Sequence, residues 1–72
     1  MKTIILPKDI SMWIPRTDIH KSFAKGNKVY CKVATNSSGG ISLLLQAKKG
    51  AIYIEQLDFD SIEEAREEGW KI

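Results

Sequence analysis

Polar and apolar residues alternate strictly through KVYCKV, residues 28–33: Val29, Cys31 and Val33 share one side of an extended chain, and Lys28, Tyr30 and Lys32 share the other. Two more β-rich runs follow at residues 41–48 and 51–57, separated by NSSGG and by Lys49-Gly50, which are turn-forming sequences of hairpin length. The pattern predicts a three-stranded antiparallel β-meander. If the NSSGG turn keeps Thr35 opposite Ile41, then Val33 meets Leu43, Cys31 meets Leu45 and Val29 meets Ala47. If Lys49 and Gly50 form a two-residue turn, Gln46 lies opposite Tyr53 and Leu45 opposite Ile54. In this register Val29, Cys31, Val33, Leu43, Leu45, Ile52 and Ile54 make one apolar face, which a one-residue slip would expose.

After the sheet, DFDSIEEAREEGW carries both ends of a helix. Asp60 or Ser61 serves as N-cap, and with Ser61 in that role Glu64 stands three residues later, the spacing of a reciprocal cap. Gly69 suits a left-handed stop, after which Trp70 and Ile72 return to the core. The expected fold is therefore α+β: the meander packed against this C-terminal α-helix, with an N-terminal strand and a loop or short helix completing it. KTIIL, residues 2–6, reads as an edge strand ended by Pro7. PKDISMWIPR reads as a loop, and residues 18–25 as a short helix capped by Thr17, with Ile19 and Phe23 on one face and Gly26 just beyond.

Length and charge bound what such a fold can be. Seventy-two residues suit one compact domain, and a chain of this size buries only about 60% of the surface its unfolded form exposes. No run approaches the roughly 18 apolar residues of a membrane span, and MKTIILPKDI breaks at Pro7 before a signal-peptide core forms. A lone cysteine makes no internal disulfide, so a reducing, cytoplasmic setting is the expectation. The net charge of +2 hides a split: residues 1–50 carry nine Lys/Arg and two Asp/Glu, and residues 51–72 carry two Lys/Arg and seven Asp/Glu. A bipolar surface, or mutual neutralisation across the fold, follows from that arrangement.

Catalytic signatures are missing. His20 is the only histidine and has no Cys or Ser motif beside it, while Cys31 points into the expected core, where a thiol behaves as a small hydrophobe. One His and one Cys also fall short of the usual zinc ligand sets, and Asp58 and Asp60 lack the spacing of a calcium loop. The expectation is a non-enzymatic binding module without cofactor, metal or small-molecule substrate.

The second sheet face offers the binding chemistry. In the expected register Tyr30, Gln46 and Tyr53 form one cross-strand row, Lys32, Leu44 and Glu55 the next, and Lys28 and Lys48 stand near the far edge, with Lys49 beside them. Tyrosines can stack bases while lysines pair with phosphates, so nucleic acid is the first candidate partner. Protein binding is the alternative, through Leu44 and the tyrosines or through Glu63, Glu64, Glu67 and Glu68 on the acidic helix, as in a phage or bacterial inhibitor or accessory regulator. A blander arrangement has Met12, Trp13 and Ile14 folded over Tyr30, Leu44 and Tyr53 as a second, minor core.

LDFDSIEEA, following three short strands, resembles the corresponding segment of integrase-arm and related DNA-binding domains over about residues 28–68. The resemblance implies a three-stranded sheet that reads a groove, with a helix behind it. HicB-like antitoxins carry a similar Ser/Thr-x-Glu-Glu-Ala helix start, and the strands here lack the arginines of the DNA-binding pattern, so membership of neither family follows.

Overall fold

A computed structural model describes residues 2–47 and 53–72. It contains six strands and one short helix in the order β1 (Lys2–Ile5), β2 (Ile10–Trp13), β3 (His20–Phe23), β4 (Lys28–Thr35), β5 (Ile41–Gln46), β6 (Ile54–Phe59) and α1 (Ile62–Glu67). All pairings are antiparallel, and the spatial order is β1-β4-β5-β6-β2-β3. This six-stranded curled sheet replaces the expected three-stranded meander, and with it the arrangement implied by the DNA-binding resemblance.

Curling follows from chain length. β1 and β2 stand four strand spacings apart, about 19 Å across a flat sheet. Five residue steps from Ile5 to Ile10 reach only about 17 Å. The same number of steps, Phe23 to Lys28, must return from β3 to β4, again over four spacings. Both connections therefore cut across the mouth of a curled sheet, and they meet there: Leu6 N–H donates to Asn27 O and Leu6 O accepts from Gly26 N–H, both at 2.9 Å, while Asp9 Oδ1 accepts from Lys25 N–H at 2.8 Å.

The concave side holds the core. Ile4, Leu6, Ile10, Met12, Val29, Cys31, Leu43 and Leu45 are buried there together with Ala65 and Trp70. α1 plugs this side near β6 and has both of its expected ends. Ser61 Oγ accepts from Glu64 N–H at 3.1 Å, and Glu64 Oε2 reaches back to Asp60 N–H at 3.1 Å. Gly69, at φ 101°, ends the helix, with Gly69 N–H donating to Arg66 O (3.0 Å) and Trp70 N–H to Ala65 O (3.1 Å). Trp70 and Ile72 do return to the core, and Arg66 Nε and Nη2 clamp the Ile72 carbonyl at 3.0 and 2.8 Å.

Three expectations are corrected. The presumed loop contains β2, because ISMW alternates: Ile10 and Met12 face the core and Ser11 and Trp13 the outside. The presumed helix over residues 18–25 contains β3, since an eight-residue helix stabilises little alone whereas His20–Phe23 gains a full ladder with β2. Thr17 caps no helix; its Oγ1 donates to Ile14 O and accepts from Ile19 N–H inside the β2–β3 hairpin, where Arg16 adopts φ 67°. Gly26, at φ 95°, serves the β3–β4 turn instead of a helix end.

The third correction is one of register. β4 and β5 pair as expected, with Thr35, Val33 and Cys31 opposite Ile41, Leu43 and Leu45. β5 and β6 are displaced by one residue: Gln46 faces Ile54, Leu45 faces Glu55, Leu43 faces Leu57 and Ile41 faces Phe59. The expected register would have turned Gln56 and Asp58 inward, and burying an amide and a carboxylate costs more than the apolar contact of Ile54 returns. The observed one brings Leu57 and Phe59 against the core and leaves Ile54 outside. Of the expected core set, Val29, Cys31, Leu43 and Leu45 are buried, Val33 lies exposed beyond the end of β1, and Ile52 is outside the described residues, as is the Lys49-Gly50 turn.

Candidate functional site

The convex face of the sheet carries an unbroken row across all six strands. Following the pairings from edge to edge, it reads Thr3, Tyr30, Gln46, Ile54, Trp13 and His20. At about 4.8 Å per strand the row is roughly 24 Å long. Beside it lies a shorter row of Lys32, Leu44 and Gln56, then one of Ala34, Ser42 and Asp58. Tyr30, Leu44, Ile54 and Trp13 are each half-buried, which is what large side chains reach by leaning on their neighbours across a sheet. Between them is an open groove of about 340 Å³ lined by Trp13, Leu44, Gln46, Ile54 and Gln56, together with Leu45 and Glu55, a pair whose side chains belong to the concave side.

The expected row survives only in part. Lys28, Tyr30, Lys32, Gln46 and Leu44 lie on strands as anticipated, with Tyr30, Gln46, Lys32 and Leu44 on the convex face. Tyr53 does not join them. The one-residue displacement puts it on the concave side, where Ala47 N–H donates to its carbonyl at 3.1 Å and its ring meets Phe23 edge to face, with centroids 5.8 Å apart. The Lys21 ammonium stands 5.4 Å from the Phe23 ring centroid and 6.0 Å from that of Tyr53. Tyr53 thus belongs to an aromatic lid at the β3 side of the core. Lys48 and Lys49 fall outside the described residues.

Nor do Met12, Trp13 and Ile14 cover the second face. Met12 is buried in the core and Trp13 is itself a member of the convex row, beside Ile54 and His20. The signal for Trp13 was present in the alternation of ISMW, whereas its pairing with Ile54 spans forty-one positions and no local pattern announces it. The helix glutamates are elsewhere again: Glu63, Glu67 and Glu68 are exposed on α1, Glu64 is held by the cap, and Glu68 forms a surface ion pair with Lys8 at 3.7 Å.

Electrostatics on the convex face are mixed. Lys28, Lys32 and His20 are exposed, but Asp58 stands at the β6 end of the same face. The Ser42 hydroxyl donates to Asp58 Oδ1 at 2.6 Å and the Gln56 amide donates to the same oxygen at 3.1 Å. The Ser42 bond first, and the Gln56 bond second, hold this carboxyl below its ordinary range, so the negative charge is fixed there. Cys31 is a different case. Burial raises its thiol pKa, with the Lys2 ammonium only partly opposing, and the group is a core side chain. Among the described residues no cluster of three or more His, Cys, Asp or Glu side chains is placed to hold a metal ion, and no helix is long and apolar enough to cross a membrane.

No protein-family model, curated protein or solved structure matches this chain. The functional reading therefore rests on the convex face itself.

Proposed function

We propose that the protein is a non-catalytic module that holds a partner protein on its convex sheet face. Trp13, Tyr30, Leu44 and Ile54 act as anchors. The observation that carries this reading is the groove between Trp13, Leu44 and Ile54: large apolar side chains stand half-exposed on a face that no other element packs against among the described residues. Aromatic and aliphatic anchors around a depression, ringed by amides and charges, are what protein partners fill with an apolar side chain. The matching partner presents an aliphatic or aromatic knob flanked by hydrogen-bonding groups.

Nucleic acid, the first candidate from the sequence, loses ground for two physical reasons. Ile54 stands in the row where a second tyrosine was expected, and a stably ionised Asp58 shares the face with Lys28 and Lys32. A polyanion would meet that carboxylate.

Selection of displayed peptides on the purified full chain, followed by NMR mapping, tests the proposal. Selected peptides carrying an apolar anchor, which shift Trp13, Leu44 and Ile54 and lose binding with Trp13→Ala, are the expected result. A single-stranded oligonucleotide bound at micromolar protein, weakening steeply between two salt concentrations, would overturn it in favour of nucleic acid.

A further inference from the structure

β1 is one outer edge of the sheet, and its backbone is arranged to accept another strand. Leu6, just past the strand, turns both of its backbone groups towards the β4 side, to Asn27 and Gly26. Antiparallel pairing alternates residue by residue, so Ile4 and Lys2 follow Leu6, and Thr3 and Ile5 aim their N–H and C=O groups away from the sheet. Thr3 is exposed, and Ile5 is 48% exposed despite being a large hydrophobe.

Along this edge runs an open trough of about 560 Å³, lined by residues 3–7 together with Lys25, Gly26, Gly69 and Lys71. Its wall is largely apolar, with two cations on the rim. Neither the Lys25 nor the Lys71 ammonium has an ion-pair or hydrogen-bond partner among the described residues. The nearby acids are engaged: Asp9 accepts the Lys25 backbone N–H, and Glu68 pairs with Lys8.

We infer that the β1 edge takes up an extended, acidic peptide segment of a partner protein as a seventh strand. The outward backbone groups of Thr3 and Ile5 supply ladder hydrogen bonds, alternate apolar side chains of the guest fill the trough against Ile5 and Pro7, and its carboxylates meet Lys25 and Lys71. A second copy of this chain is a poor occupant. In a two-fold antiparallel pairing of two β1 edges, Lys2 of one copy would lie against the Leu6 end of the other, the end lined by Lys25 and Lys71, so cation would face cation. The edge site shares Thr3 with the end of the convex row, through that residue's backbone, but shares no residue with the Trp13–Leu44–Ile54 groove and stands or falls independently of it.

The test is titration of the full chain, ¹⁵N-labelled, with an eight-residue peptide alternating valine and glutamate, and with its valine–lysine counterpart. The glutamate peptide should bind at least about tenfold more tightly, and Lys25→Glu with Lys71→Glu, both at exposed positions, should reverse that preference. Binding should slow hydrogen exchange at the Thr3 and Ile5 amides by about tenfold or more and be lost with Ile5→Pro, a substitution an edge strand tolerates. Trp13→Ala should leave it unchanged. Equal affinity for the two peptides, no slowing at Thr3 and Ile5 at millimolar peptide, or the same slowing on concentrating the protein without peptide would each overturn the inference, the last by assigning the edge to self-pairing.

Discussion

The two faces of one sheet use the same residue types to opposite ends. Leu43 and Leu44 are neighbours on β5, yet Leu43 is fully buried on the concave side while Leu44 stands half-exposed beside a groove on the convex side. Ile10 and Met12 are sealed under the curl, and Trp13, one residue on, lines the groove outside. The concave face is closed because two short connections and α1 all converge on it; among the described residues nothing converges on the convex face. Large apolar side chains are thus core on one side and available surface on the other, and alternation alone does not say which.

The largest effect that distinguishes the faces is on stability. Leu43→Ala should cost about 2–5 kcal/mol, enough to unfold much of a chain this small, whereas Leu44→Ala should cost less than about 1 kcal/mol; urea midpoints of the two variants check this. Equal losses would mean that Leu44 is a core residue and that the convex face is covered. Next in size is Gly40→Ala, with an expected loss of roughly 2–3 kcal/mol, because a Cβ there would overlap the Phe59 carbonyl oxygen and approach Asp60 Cα. Thermal melting of that variant tests whether β5 and β6 meet in the register described.

Smaller is the helix cap. Ser61→Ala should destabilise by about 1 kcal/mol, through the concave side only, leaving convex-face binding intact. Smallest is the pH dependence set by Asp58. Its folded-state pKa is lowered, so the stability it contributes is present above the ordinary carboxylate value of about 4 and is lost as pH falls through the folded value. Ser42→Ala removes the larger of the two stabilising bonds and should move the Asp58 carboxyl resonance titration upward, while leaving the core unaltered in its methyl spectrum.

Sequence reading reached the parts of this fold where neighbours in the chain are neighbours in space. The five-residue hairpin loop was legible because Asn36 and the two glycines that follow close by belong to it: Asn36 Oδ1 accepts from Gly40 N–H, Ser38 N–H and Ser38 Oγ, and Gly39 adopts φ 87°. Both helix ends were legible for the same reason. β2 and β3 were not. Each is only four residues long, HKSF has Phe23 as its one large apolar side chain, and the pair joins the rest of the sheet only where Trp13 docks beside Ile54, a contact far apart along the chain. The slip in β6 came from reading the register off an assumed two-residue turn, whereas the cost of turning Gln56 and Asp58 inward decides it. Of the candidate site, Tyr30, Lys32, Leu44 and Gln46 were read correctly onto one face because β4 and β5 share a local hairpin; Trp13, Ile54 and His20 join them only through long-range pairing.

Solvent paramagnetic relaxation of the side chains tests the central claim most directly. With a soluble paramagnetic probe, the Leu44 and Ile54 methyl signals and the Trp13 indole signal should broaden strongly while those of Leu43, Leu45 and Met12 persist. Leu44 and Ile54 signals as well protected as that of Leu43 would show the convex face to be sealed and would contradict the account.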